Sequence, residues 1–242
     1  VDAWLTARLE VDTTRFIPVW RLENLFTNGQ VIEPVFLSAR DARDCIPTVE
    51  STILLGEIDG VAFFALGLHP EVSTPPACLA DLGQFQDLRR LATLLDERDA
   101  ALLAYARAMT YWHHRHRFCG VCGSPTDSIE GGFQRLCANP DCGHRHFPRT
   151  DPAIIVLVTS GERGLLGRQP SWPTGMYSTI AGFVEPGETL EDAVIREVRE
   201  VTNIELFGLH YHSCLARSSC QADRCHSIKR GSQYPEIWQD RK

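Results

Sequence analysis

The chain has 242 residues, 43% of them hydrophobic, and a formal net charge of −7. That apolar content fills one large core or two small ones, and the acidic balance excludes broad, non-specific nucleic-acid binding. The longest apolar runs, residues 61–68 and 153–158, fall far short of the ~20 residues that span a bilayer, so no membrane association is expected. The first twenty residues carry Asp2, Arg8, Glu10, Asp12 and Arg15, which is the pattern of a chain without a signal peptide. The nine cysteines, an odd count with four of them in metal-ligand spacing, fit a reducing compartment, and a cytoplasmic location is expected.

Residues 1–117 read as a mixed α/β domain. Residues 51–55 and 61–66 read as strands on either side of Asp59-Gly60, a hairpin turn signal. Pro75 and Pro76 mark a loop. From Phe85 to His113, apolar residues recur at helical spacing: Leu88, Leu91, Leu94 and Leu95, then Leu102, Leu103, Ala106 and Met109.

Residues 118–148 form a cysteine module. Cys119-Gly-Val-Cys122 is followed, after fourteen residues, by Cys137 and Cys142. Two close pairs across a short loop supply four thiolates for a tetrahedral, structural Zn²⁺ site. Disulfides or free thiols are the alternatives. Gly120 and Gly123 suit a turn that aims backbone N–H groups at sulfur, and the stretch EGGFQRLC reads as a hairpin. His144 and His146 lie nearby but are not needed to complete the shell.

Residues 149–213 alternate strand, loop and helix. Within them, residues 182–204 read GFVEPGETLEDAVIREVREVTNI. Thr189 reads as a helix cap with Asp192 as capping-box partner. Leu190, Val194, Val198 and Val201 read as one apolar stripe, and Glu197 and Glu200 as neighbours on one face. A loop of Gly182, Glu185, Pro186-Gly187 and Glu188 precedes the helix. Asn203 tolerates the left-handed conformation that ends helices. Carboxylates so clustered can hold Mg²⁺ or Mn²⁺, which neutralises phosphate oxygens and activates water. An ordinary charged amphipathic helix would explain REVRE taken alone.

The box resembles that of the Nudix hydrolases: Gly182, Glu188, Arg196, Glu197, Val198, Glu200 and Ile204 fit. Val201 replaces an expected Glu, and Asn203 an expected Gly. With the cysteine module before it and HFPRTDPAIIVLV between, the chain resembles the NADH pyrophosphatase branch, specifically over residues 112–212 and more loosely over 1–111. The resemblance implies three parts: an N-terminal mixed α/β, Nudix-like domain over 1–117, a zinc ribbon over 118–148, and an incomplete Nudix α/β/α sandwich over 149–213. It implies hydrolysis of NAD⁺ or NADH to nicotinamide mononucleotide and AMP, removal of NAD caps from RNA, and a homodimer. Residue by residue it makes Cys119, Cys122, Cys137 and Cys142 zinc ligands. It makes the Ala181 carbonyl, Glu197 and Glu200 the divalent-metal set, with Glu197 and Glu200 catalytic. It makes Phe147 a substrate contact and Phe183 the ring stacked on adenine. Plain core packing is the alternative for both rings.

The family pattern stops at residue 213. Residues 214–242, with six Lys/Arg and three Cys, are expected to be a divergent, disordered tail, and a truncated or frameshifted C-terminus is inferred. A second metal set of Cys214, Cys220, Cys225 and His226 is a weaker reading, because its spacing does not follow a tight metal knuckle. Two functions compete: a metal-dependent NAD(H) diphosphatase, and a catalytically dead, zinc-stabilised nucleotide-binding or dimerisation remnant, which Val201 favours. A zinc-ribbon nucleic-acid binder ranks last. It would need a basic stripe, to which His113, His114, Arg115, His116, Arg117, Arg145 and Arg149 would contribute.

Overall fold

The computed structural model describes residues 2–45, 48–217 and 221–229, with side chains as far as His212. The tail's second metal set therefore lies outside the described side chains, and residues 230–242 lie outside altogether. Two compact units emerge, Val1–Arg149 and Thr150–Lys242.

In the first unit the chain runs α1 (Asp2–Leu9), β1 (Arg15–Trp20), β2 (Glu23–Phe26), α2 (Ala39–Cys45), β3 (Val49–Ile58), β4 (Val61–Leu68), α3 (Ala77–Ala80), β5 (Gln84–Gln86), α4 (Leu88–Leu91) and α5 (Glu97–Arg115). The sheet order is β3-β4-β1-β2-β5, with β1 and β4 parallel. The expected hairpin is present. Ile58 pairs with Val61, and Asp59 and Gly60 take φ of 51° and 77°, the double positive-φ signature of a tight hairpin turn. Strand β4 is buried almost throughout because both its faces are covered. Phe63 and Ala65 pack with Leu103, Ala106 and Met109 of α5. Phe64 and Leu66 pack with Ala42 and Cys45 of α2 and Leu79 of α3.

The helical run expected from Phe85 to His113 is broken. Phe85 lies in β5, the Asp87 carboxylate caps α4 by accepting from the Arg89 amide, and Asp96 caps α5 by accepting from the Arg98 amide. Each short acid satisfies an orphan donor of a new helix. Leu94, in the turn between them, is 70% exposed.

After α5 comes a small three-stranded sheet of β6 (Thr126–Ile129), β7 (Gln134–Cys137) and β8 (Arg145–His146), in that order. It contains the hairpin read from the sequence. His113, at the end of α5, ties the two parts of this unit together. It is 1% exposed. Arg135 Nη1 donates to its Nδ1 at 2.8 Å, so its Nε2–H donates to the Gly132 carbonyl, also at 2.8 Å. Arg135 further donates to the Thr126 hydroxyl and carbonyl. Burial pushes the His113 pKa down to about 4, and the geometry demands the same neutral ring. An unfolded chain protonates this ring at the ordinary histidine pKa. Stability contributed by the neutral ring is therefore complete above pH ~6.5 and lost as pH falls toward 4, by roughly 3 kcal/mol in all. Urea melts at pH 7 and 4.5 are expected to show a smaller loss in His113→Leu than in the parent, although the variant starts less stable. Equal losses would refute this assignment.

The second unit runs β9 (Ala153–Ser160), β10 (Arg163–Leu165), β11 (Ile180–Phe183), α6 (Leu190–Thr202), β12 (His210–Arg217) and β13 (Gln221–Lys229). Strand β9 is the hub. Strands β10 and β11 pair antiparallel with successive stretches of it, and β13 pairs with it in parallel and with β12 antiparallel. The stretch expected to open a disordered tail thus runs in β12 and β13. Ile154, Val156 and Val158 point at Ala193, Val194 and Val198 of α6, all nearly inaccessible. Leu157, on the alternate face, is 37% exposed. Among the described residues this sheet carries one helix layer, part of an α/β/α sandwich. Among them, too, no helix is long and apolar enough to cross a membrane.

Candidate functional site

The four ribbon cysteines converge. Their Sγ atoms all lie within 4.8 Å of one another, with Cys119–Cys142 at 3.9 Å and Cys122–Cys137 at 3.4 Å. A tetrahedral Zn²⁺ with Zn–S of about 2.3 Å needs sulfurs about 3.8 Å apart, so the set fits the ion. Each sulfur accepts a backbone N–H from two residues on: Cys119 from Val121 at 3.4 Å, Cys122 from Ser124, Cys137 from Asn139 and Cys142 from His144. The turn expected around Gly120 and Gly123 therefore aims the amides of Val121 and Ser124. Such donors stabilise thiolate ligands and fix their direction. Hydrogen bonds from the Ser124 side chain and amide hold the Cys122 thiol down at about 6, whereas burial pushes Cys137 up to about 12. His146 stands behind the shell, its Nε2 3.3 Å from the Cys119 sulfur.

The basic stripe required of a nucleic-acid binder is interrupted. His113 is buried and neutral, His114 and Arg117 both turn to Glu50, and Arg145 donates to Gln134.

In the second unit the box folds around one close approach. A Cβ on Gly182 would lie 1.9 Å from Glu197 Cδ. Only glycine lets the Glu197 side chain lie across β11, and this is why the box needs glycine there. Thr189 and Asp192 form the reciprocal capping box that starts α6, and Asn203 ends it at φ 55°, ψ 27°, its amide donating to the Arg199 carbonyl.

Arg196 is the hub, a role the sequence reading did not assign. It donates in bidentate fashion to Glu188 at 2.7 and 2.9 Å, to Glu197 at 2.9 Å, to Glu200 at 3.4 Å and to the Phe183 carbonyl at 2.8 Å. Glu188 also accepts from the Glu185 amide. The Arg196 contact, then that amide, holds the Glu188 carboxyl down at about 2. Glu188 is thereby committed to tying the glycine loop to the helix. Its fixed offset from Arg196 was the available signal.

Glu197 and Glu200 each meet Arg196 through one oxygen, which leaves the second oxygen of each for another partner. Ala181 is exposed on β11, adjacent to Gly182. Phe183 and Phe147, 53% and 44% exposed, are not core residues, so the packing alternative fails for both. Val201 departs from expectation. It is 60% exposed rather than part of the apolar stripe, which consists of Val194 and Val198 with Ala193. Among the described residues nothing covers the last turn of α6 on that side.

A strand–loop–helix unit of this kind, with glycine under a glutamate and an arginine joining the loop acid to the helix acids, defines the class of Nudix-box proteins. Family models match in sequence along the chain: a "NADH pyrophosphatase-like rudimentary NUDIX domain" over residues 13–112, a "NADH pyrophosphatase zinc ribbon domain" over 114–147 and a NUDIX domain over 149–230. The chain is 36% identical over 214 residues to an NAD-capped RNA hydrolase NudC of Pseudomonas fluorescens, covering 86% of this chain and 72% of that protein. It is 41% identical over 204 residues to the NAD-capped RNA hydrolase NUDT12 of Macaca fascicularis, covering 80% of this chain and 44% of that one. A solved Nudix hydrolase from Nitrosomonas europaea is 23% identical, with a TM-score of 0.38 over 47% of this chain and 66% of that one. The chain belongs to the NADH pyrophosphatase family of Nudix hydrolases. It spans less than half the length of the macaque relative and 60% of a Stutzerimonas stutzeri one.

Proposed function

We propose that this chain cleaves the diphosphate of NAD⁺ or NADH to nicotinamide mononucleotide and AMP, that NAD-capped RNA is a further substrate, and that turnover is slow in the chain as it stands. The observation that carries the reading is the Gly182–Glu197 approach locked by Arg196, which holds two carboxylates side by side at the mouth of the glycine loop. The similarity to NAD-capped RNA hydrolases supports the substrate. Glu197 and Glu200, with the Ala181 carbonyl, would hold Mg²⁺ or Mn²⁺. Such a cation, when bound, neutralises phosphate oxygens and makes water more acidic. The exposed Phe183 ring offers a π face to adenine, and Phe147 a second substrate contact. Water oxygen adds to one phosphorus, the bridging P–O bond breaks, and a proton passes to solvent. Arg196, donating to one oxygen of each, keeps Glu197 and Glu200 aimed throughout. A homodimer in the cytoplasm is the expected setting.

The second reading, a nucleotide-binding or dimerisation remnant, rests on Val201, whose exposed side chain offers no oxygen where a further carboxylate is expected. Incubation of the purified chain with NADH and Mn²⁺ separates the two: AMP at any steady rate supports the enzyme, and NADH binding without AMP supports the remnant.

Gly182→Ala tests the close approach itself. The added methyl must displace the Glu197 carboxylate, so Mn²⁺ affinity and AMP formation are expected to fall on the order of 10²-fold, as when a positioned charge is removed from a site. The thermal melt should barely move, since β11 tolerates alanine. Unchanged Mn²⁺ affinity by calorimetry would disprove the assignment of Glu197.

A further inference from the structure

We propose that Cys45 and Cys78 are a reactive dithiol that a low-molecular-weight disulfide converts into an intramolecular disulfide. The two sulfurs lie 3.1 Å apart, across the meeting of α2 and α3 and remote from the ribbon in sequence. They are closer than the cation-binding sulfur pairs of the ribbon, and the residues around them do not make a metal site. Among the described residues, the only cluster of three or more ligand atoms with metal-binding spacing is the ribbon set. What remains for two thiols in contact is their own chemistry.

The pair is divided in the way stepwise exchange needs. Cys78 is exposed and meets the oxidant first, whereas Cys45 is fully buried. Burial, with the neighbouring Cys78 and the acids Asp44 and Asp41, pushes the Cys45 thiol up to about 12, so it stays protonated until a partner sulfur is in place. In the first step the Cys78 thiolate attacks one sulfur of the disulfide RSSR, giving a Cys78–S–S–R mixed disulfide and RS⁻, which takes up a proton. In the second, Cys45 attacks the Cys78 sulfur, the bond between that sulfur and SR breaks, and the Cys45 proton passes to the departing RS⁻, which leaves as RSH. The net reaction is two protein thiols plus RSSR to one protein disulfide plus two RSH. The two protein sulfurs are oxidised and the two sulfurs of RSSR are reduced. The product closes a loop containing the β3–β4 hairpin, staples α2 to α3 against the sheet and removes conformations from the unfolded chain.

The test treats the zinc-loaded full chain with oxidised glutathione, blocks remaining thiols with N-ethylmaleimide, and maps peptides by mass spectrometry. The expected product is a peptide pair linked through Cys45 and Cys78, two hydrogens lighter than the free peptides. Dithiothreitol should reverse it, and a higher melting temperature should accompany it, with the ribbon cysteines unmodified. Cys78→Ser should give neither link nor shift. Cys45→Ser, or Cys45→Ala if the serine protein folds poorly, should trap glutathione on Cys78. The proposal is overturned if wild-type Cys78 carries glutathione with Cys45 still blocked by maleimide, or if both thiols remain separately maleimide-reactive after prolonged exposure to the oxidant.

Discussion

Removing zinc is expected to unfold residues 118–148 while leaving the five-stranded sheet of the first unit folded. The ribbon has little core of its own. Of its large hydrophobic residues, Phe118, Val121 and Phe133 are 62%, 67% and 39% exposed. The four sulfurs, held by backbone amides two residues on, are what order its two loops. Structural zinc in such modules contributes about 10–16 kcal/mol, much more than strands of two to four residues can replace. The sheet β3-β4-β1-β2-β5, by contrast, is covered on both faces by its own helices. The simplest variant is Cys137→Ser, because Cys137 is buried and the serine hydroxyl is a poor zinc ligand. Metal analysis should find the equivalent of zinc lost. Amide exchange should show protection gone from residues 126–146 and kept in β1, β3 and β4. A variant that retained one equivalent of zinc would defeat the prediction. Acid should act in the same direction. Cys137, pushed up to about 12 by burial, gives up its proton only to a cation, so zinc uptake releases a proton and weakens as pH falls.

How far this could be read from the sequence depends on the range of the interactions. The spacings within Cys119–Cys122 and within Cys137–Cys142, the Asp59-Gly60 hairpin, the Thr189–Asp192 cap and Asn203 are settled by neighbours within a few residues, and the structure carries each of them. The helical run expected from Phe85 to His113 is broken for a local reason: Asp87 and Asp96 each offer a capping oxygen, and a cap outweighs apolar spacing in a polar stretch. His113 counted as surface charge in the sequence, because the residues that bury and neutralise it, Arg135 and Gly132, come from the ribbon hairpin. The Arg196 hub likewise needs the loop brought back over the helix before Glu188 and the Phe183 carbonyl come within reach. Val201 shows the reverse error. Its helical angle matches Leu190 and Val194, but a stripe is buried only where an opposing surface exists, and α6 has none over its last turn among the described residues.

That exposure makes Val201 the most informative position in the chain. Val201→Glu is expected to raise Mn²⁺ affinity and AMP formation from NADH on the order of 10²-fold, the scale on which a carboxylate aimed at a metal or a developing charge acts. The substitution should cost the fold almost nothing. The side chain is already 60% in solvent, and glutamate is a better helix former than valine. A carboxylate at this position lies one turn beyond Glu197 and next to Glu200, where like charges oppose folding by only ~0.2–0.5 kcal/mol. That small repulsion is itself favourable for function, because a divalent cation relieves it on binding. Val201→Gln, which has nearly the same shape without the charge, should leave both quantities at the parent level. If Mn²⁺ affinity failed to rise in Val201→Glu, this position would not face the cation and the carboxylate set would need reassignment. If affinity rose and AMP formation did not, the three carboxylates of α6 would suffice to hold the ion but not to orient the diphosphate, and the remnant reading would gain. The two measurements therefore separate a chain that lacks a ligand from one that lacks the surface against which its substrate must lie.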